Sequence, residues 1–290
     1  MKFIYENEKL SKYNWFNLGG PAKILFKLQT TDELKKFLKD NKKKNYKIHV
    51  LGAGSNTLFR DGGFDGVVIK LGNNFSYTKL LKEDEIEVGG GTMDKKLSDF
   101  ATENSLSGFE FLSCIPGSIA GSIVMNSGCY GEDVSKIFLS LKAMNLDGEI
   151  ELFNRDQIQF FYRGNNLKNG LIILSAIFKG KVSDKKEILE KQKNLINKKK
   201  ESQPTRVKTC GSTFKNPTND KKAWELIKLS ECSGLKVGGA SISEKHNNFF
   251  LNNGNASSSD IESLIHKVKE KVFKKTGKEL ELEIKIIGKK

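Results

Sequence analysis

The chain has 290 residues, 37% hydrophobic and 29% charged, enough for one large domain or two to three small ones. Its formal charge of +14 comes from 49 basic against 35 acidic side chains, yet only Arg60, Arg155, Arg163 and Arg206 are arginines, which leaves 45 lysines. A basic excess invites a nucleic-acid partner, but lysines spread along the chain, without the bidentate guanidinium that clamps phosphate, read instead as a solvated surface.

The first third predicts alternating strands and helices, a mixed α/β or α+β unit. Ile24 to Leu28 reads as a strand, and Thr30 with Glu33 has capping-box spacing ahead of the apolar stripe Leu34, Phe37 and Leu38. A strand from Ile48 to Leu51 runs into Gly52-Ala53-Gly54-Ser55-Asn56. Turn residues then precede a strand from Val67 to Leu71. In the middle third, Ile86 to Val88 leads to Gly89-Gly90-Gly91, after which Thr92 is placed to cap a helix carrying Leu97, Phe100 and Ala101. Small residues follow, from Pro116-Gly117-Ser118 through Gly121-Ser122. Strands are expected at Lys142 to Asn145 and Leu171 to Phe178, and a one-faced helix between Ser183 and Lys200, ahead of a boundary near Gln203-Pro204. The last third predicts a helix around Trp224, Leu226, Ile227 and Leu229, and another from Ile261 to Val272 closed by Gly277. A terminal strand should set Leu280, Leu282, Ile284 and Ile286 against Glu281, Glu283 and Lys285.

No apolar run approaches the roughly 20 residues of a membrane-spanning helix, and the N-terminal MKFIYENEKLSKY lacks the apolar core of a signal peptide. A cytoplasmic protein without a membrane or nucleic-acid partner is expected. Cys114, Cys129, Cys210 and Cys232 form no CxxC pair, and His49, His246 and His266 are scattered, so no metal site is expected and the cysteines read as small buried hydrophobes.

Several segments hold residues that chemistry could use, and each has an ordinary alternative. Gly52-Ala53-Gly54-Ser55-Asn56 would let backbone amides approach a phosphate, but it is no GxGxxG fingerprint, and alone it reads better as a tight turn. Gly91 and Thr92 before a helix could form an anion site. With the Pro116–Ser122 stretch there are three such places, which together suggest a long ligand threaded between two sub-domains. Ser212, within Gly211-Ser212-Thr213-Phe214-Lys215-Asn216, has no GxSxG context and no triad histidine, so a serine hydrolase is disfavoured. It is a proton donor or a turn residue. Arg163, in Phe160-Phe161-Tyr162-Arg163, would be shielded by aromatic rings and would need a partner or a ligand. Glu283 starts as a solvated carboxylate, and His246 as a loop residue or substrate contact.

Taken together, NWFNLGGPA, LGAGSNTLFRDGGFDGVVI, GGGT, GFEFLSCIPGSIAGSIVMNSGCYGEDV, FYR, CGSTFKNP, GGASISEKHNNFFLN and LELEIKIIG resemble, in order, the UDP-N-acetylenolpyruvoylglucosamine reductase family. The resemblance implies an α+β fold. A two-sub-domain FAD-binding domain of the vanillyl-alcohol oxidase (PCMH) type would occupy residues 1–72 and 73–202, and an α+β substrate-binding domain residues 203–290. It implies non-covalent FAD, NADPH as co-substrate and UDP-N-acetylglucosamine enolpyruvate as substrate, in a monomer of the shorter form. Carried over by position, Arg163, Ser212 and Glu283 resemble the catalytic residues, with Ser212 as proton donor. Gly52, Ala53, Gly54, Ser55, Asn56, Gly91, Thr92, Pro116, Gly117, Ser118, Gly121 and Ser122 would hold the cofactor, and Tyr162, Lys215, Asn216 and His246 the substrate. Ala120 in place of a usual glycine, Asn14 in place of threonine, and Gly164-Asn165 in place of Asp-Ser depart from the family pattern. Another flavin oxidoreductase of the same fold is the nearest alternative, and a basic nucleic-acid-binding protein the alternative from a different class.

Overall fold

In the computed structural model, which describes residues 3–217 and 221–290, the chain folds into two units. The first comprises Met1–Tyr5, Ile24–Ala53 and Gly66–Lys199, the second Glu6–Lys23, Gly54–Asp65 and Lys200–Lys290.

In the first unit, helix α1 (Thr31–Lys44) begins with the predicted capping box, Thr30 and Glu33 satisfying each other's backbone N–H, and ends on Asn45 in the left-handed region. Its stripe of Leu34, Phe37 and Leu38 is buried with Phe26, Leu28, Val67 and Ile69 in a core that also takes Met144, Ile172 and Leu174. Each such side chain contributes roughly 1.5–3 kcal/mol by leaving water. The strand Lys47–Leu51 pairs in parallel with Phe64–Leu71, at one edge of a sheet in the order Ile4–Lys9, Pro21–Leu28, Phe64–Leu71, Lys47–Leu51. A five-stranded antiparallel sheet follows, ordered Ile150–Asn154, Phe138–Met144, Ile172–Lys179, Glu85–Gly89, Thr78–Lys82. Helices α2 (Asp94–Glu103) and α3 (Ile119–Val124) contribute Leu97, Ala101, Ile119 and Ile123 to its core.

The charged segment forms helix α4 (Lys185–Ser202), but its apolar face is narrower than the spacing predicts. Ile188 and Gln192 are buried, whereas Leu189 is exposed.

The second unit is built on helices α5 (Ala223–Leu229) and α6 (Ser258–Thr276) and the meander Lys236–Val237, Ala240–Ile242, Phe250–Asn252. Their apolar residues bury Phe214, Leu58, Leu280 and Ile284 in one core. Gly277, at φ 68, ends α6 as predicted. The predicted terminal strand is broken. Leu282 pairs with Phe214, the chain bends at Ile284, and only Lys285–Ile287 forms a strand, parallel to Thr57–Phe59. The break follows from a change of partner, because Glu283 and Ile284 donate their N–H groups to the Thr213 carbonyl whereas Lys285 donates to Asn56.

Candidate functional site

Three glycine-rich segments meet in the first unit. A Cβ on Gly52 would lie 2.6 Å from Ser118 Oγ, so only glycine admits the Ser118 turn beside the end of the Lys47–Leu51 strand. Ser118 is 5% exposed and its hydroxyl has no hydrogen-bond partner, a costly state for a buried polar atom unless a ligand completes it. Ala120 donates to the Gly90 carbonyl at 3.0 Å, and its methyl is accommodated against Gly90. Gly121 stands close to the Ser118 hydroxyl, and Pro116 opens the turn. The Gly52 carbonyl accepts from Lys70 Nζ at 2.5 Å.

Thr92 does not cap α2. Met93 occupies the N-cap position, and the fully buried Thr92 hydroxyl donates instead to the Tyr77 carbonyl at 3.0 Å. The helix-terminus anion site expected here is not formed by the triple glycine's amides. Gly89, Gly90, Gly91 and Thr92 donate to Tyr77, Leu174, Phe75 and Gly89 carbonyls respectively. The run can therefore offer a ligand bare backbone surface, but not these N–H groups.

Asp94 is the residue that sequence reasoning missed. Its side chain is fully buried and accepts from Ser122 Oγ at 2.6 Å, while its own N–H donates to the Gly117 carbonyl at 3.1 Å. A Cβ on Gly117 would fall 2.4 Å from Asp94 Oδ2. Burial, opposed by the bonds from Ser122 and Gly117, raises the Asp94 carboxyl to about 7. Asp94 thus holds the Gly117–Ser122 turn in place. In the sequence it stands directly before Lys95 and Lys96, as an ordinary first-turn acid.

Arg163 and Tyr162 form the two-residue loop between the paired strands Phe160–Phe161 and Gly164–Asn165. Arg163 has φ 59, a conformation side chains rarely adopt. Its Nη2 donates to the Gly128 carbonyl at 3.0 Å, and the guanidinium lies 5.0 Å from the Tyr162 ring centre. The predicted aromatic shield is only partial, since Phe161 and Tyr162 are both exposed. Asn126 Nδ2 donates to Phe161 and Asn165 Nδ2 to Ile123, which ties the hairpin to the end of α3.

In the second unit the structure brings Ser212, Lys215, Glu283 and Asn56 onto adjoining backbone. Ser212 pairs with Phe249, Glu283 donates its N–H to Thr213 at 2.9 Å, and Asn56 Nδ2 donates to the Glu283 carbonyl at 3.1 Å. Glu283 is half-buried rather than on a fully solvated face. Asn248, 2% exposed and not singled out beforehand, clasps the serine segment by accepting from Phe214 N–H and donating to its carbonyl. Lys215 Nζ pairs with Glu281, and Asn216 Oδ1 accepts from the Ala223 N–H at the start of α5. His246 packs 4.6 Å from the Phe249 ring. Its buried Nδ1 has no hydrogen-bond partner, and burial lowers its pKa. Gly54, at φ 73, lies where a Cβ would strike the Tyr13 carbonyl, and its own carbonyl accepts from Trp15. Ser55 follows it, half-exposed. Asn14, one of the departures, is itself structural, since its amide donates to Leu10 and Leu18.

Among the described residues no group of three or more His, Cys, Asp or Glu side chains could hold a metal, and no helix is long and apolar enough to cross a membrane.

Comparison with known proteins bears on both units. Residues 22–154 match the FAD binding domain family, and residues 203–287 match the C-terminal domain of UDP-N-acetylenolpyruvoylglucosamine reductase. The chain is 50% identical over 280 residues to the UDP-N-acetylenolpyruvoylglucosamine reductase of Pelagibacter ubique, covering 96% of this chain and 92% of the relative. It is 45% identical over 291 residues to that of Rickettsia typhi, covering 99% and 98%. The crystal structure of the Thermus caldophilus reductase superposes with a TM-score of 0.87 at 32% identity, covering 99% of this chain and all of that one.

Proposed function

The chain belongs to the UDP-N-acetylenolpyruvoylglucosamine reductase family, and on that premise we propose that it reduces UDP-N-acetylglucosamine enolpyruvate to UDP-N-acetylmuramate with NADPH and non-covalent FAD, in peptidoglycan precursor synthesis. The observation that carries the reading is the match over residues 203–287. A flavin oxidoreductase acting on another substrate would share the FAD-binding match without needing this C-terminal domain. The threefold division into 1–72, 73–202 and 203–290 then describes two flavin sub-domains and a substrate domain. A cytoplasmic monomer completes the reading.

The residues of the first unit fit a dinucleotide. Glycine at 52 leaves backbone open beside an unsatisfied buried hydroxyl, and Asp94 fixes the turn that carries it. Gly52, Ala53, Ser118, Gly121 and the Gly117–Ser122 turn are assigned to holding FAD, with Gly91 and Thr92 supplying backbone surface. When bound, FAD would supply the hydride chemistry that links NADPH oxidation to reduction of the enolpyruvyl group.

The protein's own task is the charge and proton at C2. Arg163 is assigned to the carboxylate and the negative charge that develops beside it, because a guanidinium is a planar cation whose forked N–H donors match a carboxylate. Ser212 is assigned as the proton donor to C2. A hydroxyl is a weak acid, so it serves only against a strongly basic carbanion held within hydrogen-bond reach. Glu283, whose N–H donates to the carbonyl of Thr213, the residue after Ser212, is assigned to stabilising the same enolate-like state. Tyr162, Lys215, Asn216 and His246 are assigned to substrate contacts.

Mass spectrometry of a reaction with NADPH and UDP-N-acetylglucosamine enolpyruvate tests this. The expected product carries two more hydrogens than the substrate. NADPH oxidation without that product would overturn the substrate assignment.

A further inference from the structure

The Gly117–Ser122 turn is held by backbone and by one side chain that can titrate. Met93 and Ser118 pair as an antiparallel bridge, with the Asp94 N–H on the Gly117 carbonyl at 3.1 Å and the Ile119 N–H on the Thr92 carbonyl at 2.9 Å. The side chain is that of Asp94. Its Oδ2 accepts from Ser122 Oγ at 2.6 Å and lies 2.4 Å from where a Cβ on Gly117 would fall. Its Oδ1 is buried with no hydrogen-bond partner, as is the Ser118 hydroxyl in the same turn. Among the described residues no cation pairs with this carboxyl. On α2 itself, Lys95 pairs with Asp99, Lys96 donates to the Ser76 carbonyl and Glu103 is exposed. The turn and α3 carry no titratable side chain, and α4 reaches α2 through the neutral Gln192–Ser98 bond. On the short helix Glu110–Cys114 packed against α2, Glu110 is taken up by the Gly108 N–H and Lys191, and Cys114 stands beside Ser113. The strands that run to the Gly52 segment bring Lys70, whose Nζ donates to the Gly52 carbonyl, and His49, which burial keeps neutral by lowering its pKa to about 4.

We propose that Asp94 is a positioning residue that couples FAD retention to one proton: the neutral acid holds the turn that presents Ser118, and ionisation releases it. The proposal rests on the assignment of FAD to the Gly52 and Ser118 segments. Once ionised, the carboxylate has one hydroxyl donor for two oxygens and no counter-ion, a state that full burial strongly disfavours. Relief requires the turn to open to water, and the Ser118 hydroxyl and Ser122 move with it. A negative charge behind the turn also opposes the flavin's anionic pyrophosphate. The Met93–Ser118 backbone bridge does not titrate, so the flavin is lost before the fold is. Burial holds the carboxyl up at about 7, which brings the change near neutral pH. By linkage, a ligand that prefers the neutral form is bound fully below that pH and progressively less tightly above it.

The test dilutes FAD-loaded protein into buffers between about pH 5.5 and 9, reads the flavin that passes an ultrafilter by its absorbance, and follows the fold by circular dichroism. The wild-type FAD Kd should be flat in acid and should rise above about pH 7 by up to about tenfold per pH unit, the limit for one proton. Asp94→Asn stays neutral at every pH and still accepts from Ser122. It should abolish the rise and keep Kd within about threefold of the wild-type acid value. Asp94→Ala, which leaves Ser122 without its partner, should weaken FAD at every pH and show no rise of its own. A merely structural Asp94 gives no pH slope in wild-type protein. A wild-type Kd that is constant over the range, or an Asp94→Asn variant with the same rise, would overturn the proposal and leave the FAD assignment standing. Protein that takes up no FAD at any pH would overturn that assignment and the proposal with it.

Discussion

Ser212 and Glu283 sit on neighbouring backbone, tied through the Thr213 carbonyl, which makes their roles separable by experiment. Ser212→Ala should leave NADPH-driven flavin reduction within a few-fold of wild type. It should slow reoxidation by the enolpyruvyl substrate by about 10²–10⁴-fold, the usual reach of a general acid. Glu283→Gln should show the same asymmetry in stopped-flow traces, and equal losses in both half-reactions would remove either residue from the chemistry. Asp94 invites a different test. Its carboxyl is raised from 3.8 to about 7 in the folded protein. The favourable contribution of the neutral form is therefore fully present below about pH 4 and is lost as pH rises towards 7. Asp94→Asn should gain stability relative to wild type over that window, on the order of 1 kcal/mol per pH unit, and parallel stability curves would contradict the raised carboxyl. These residues differ in how far the sequence announces them. Ser212 and Arg163 stand out beside lysines and aromatics, but Asp94 looks like any first-turn acid. Its burial comes from the Gly117–Ser122 turn, which lies more than twenty residues further along the chain.

At the scale of elements, local signals served best where an element satisfies itself. The Thr30–Glu33 box and the Gly277 cap are contained within a few residues, and both form as the spacing predicts. The terminal strand and the Thr92 cap failed because their hydrogen-bond partners, Thr213, Asn56 and Tyr77, are supplied by other parts of the chain. Arg60-Asp61 in the RDGG turn shows the same principle. Arg60 forms a two-pronged pair with Glu262 at 2.8 Å, and Asp61 accepts from the Ser258 and Ser259 N–H groups at the start of α6. A segment that reads as a turn is therefore also a distant helix cap. Asp61→Ala should destabilise the protein by about 1–2 kcal/mol in urea unfolding, and no change in the midpoint would show that α6 does not depend on it.

Over the whole molecule, the charge has a narrower meaning than its size suggests. The arginines that could clamp phosphate are used individually, Arg60 on Glu262, Arg155 on the Ile158 carbonyl and Arg163 on Gly128. A lysine-rich surface still attracts polyanions, and FAD, NADPH and a UDP-sugar are all polyanions, so their encounter should be salt-dependent. The nucleic-acid alternative requires more, namely tight binding to DNA or RNA that weakens steeply with salt. The visible spectrum of the purified protein separates the readings most directly. The account predicts a yellow protein whose flavin absorbance is bleached by NADPH without air and restored by UDP-N-acetylglucosamine enolpyruvate. A protein that stays colourless after reconstitution with FAD, or a bleached flavin that the enolpyruvyl substrate does not reoxidise, would contradict it.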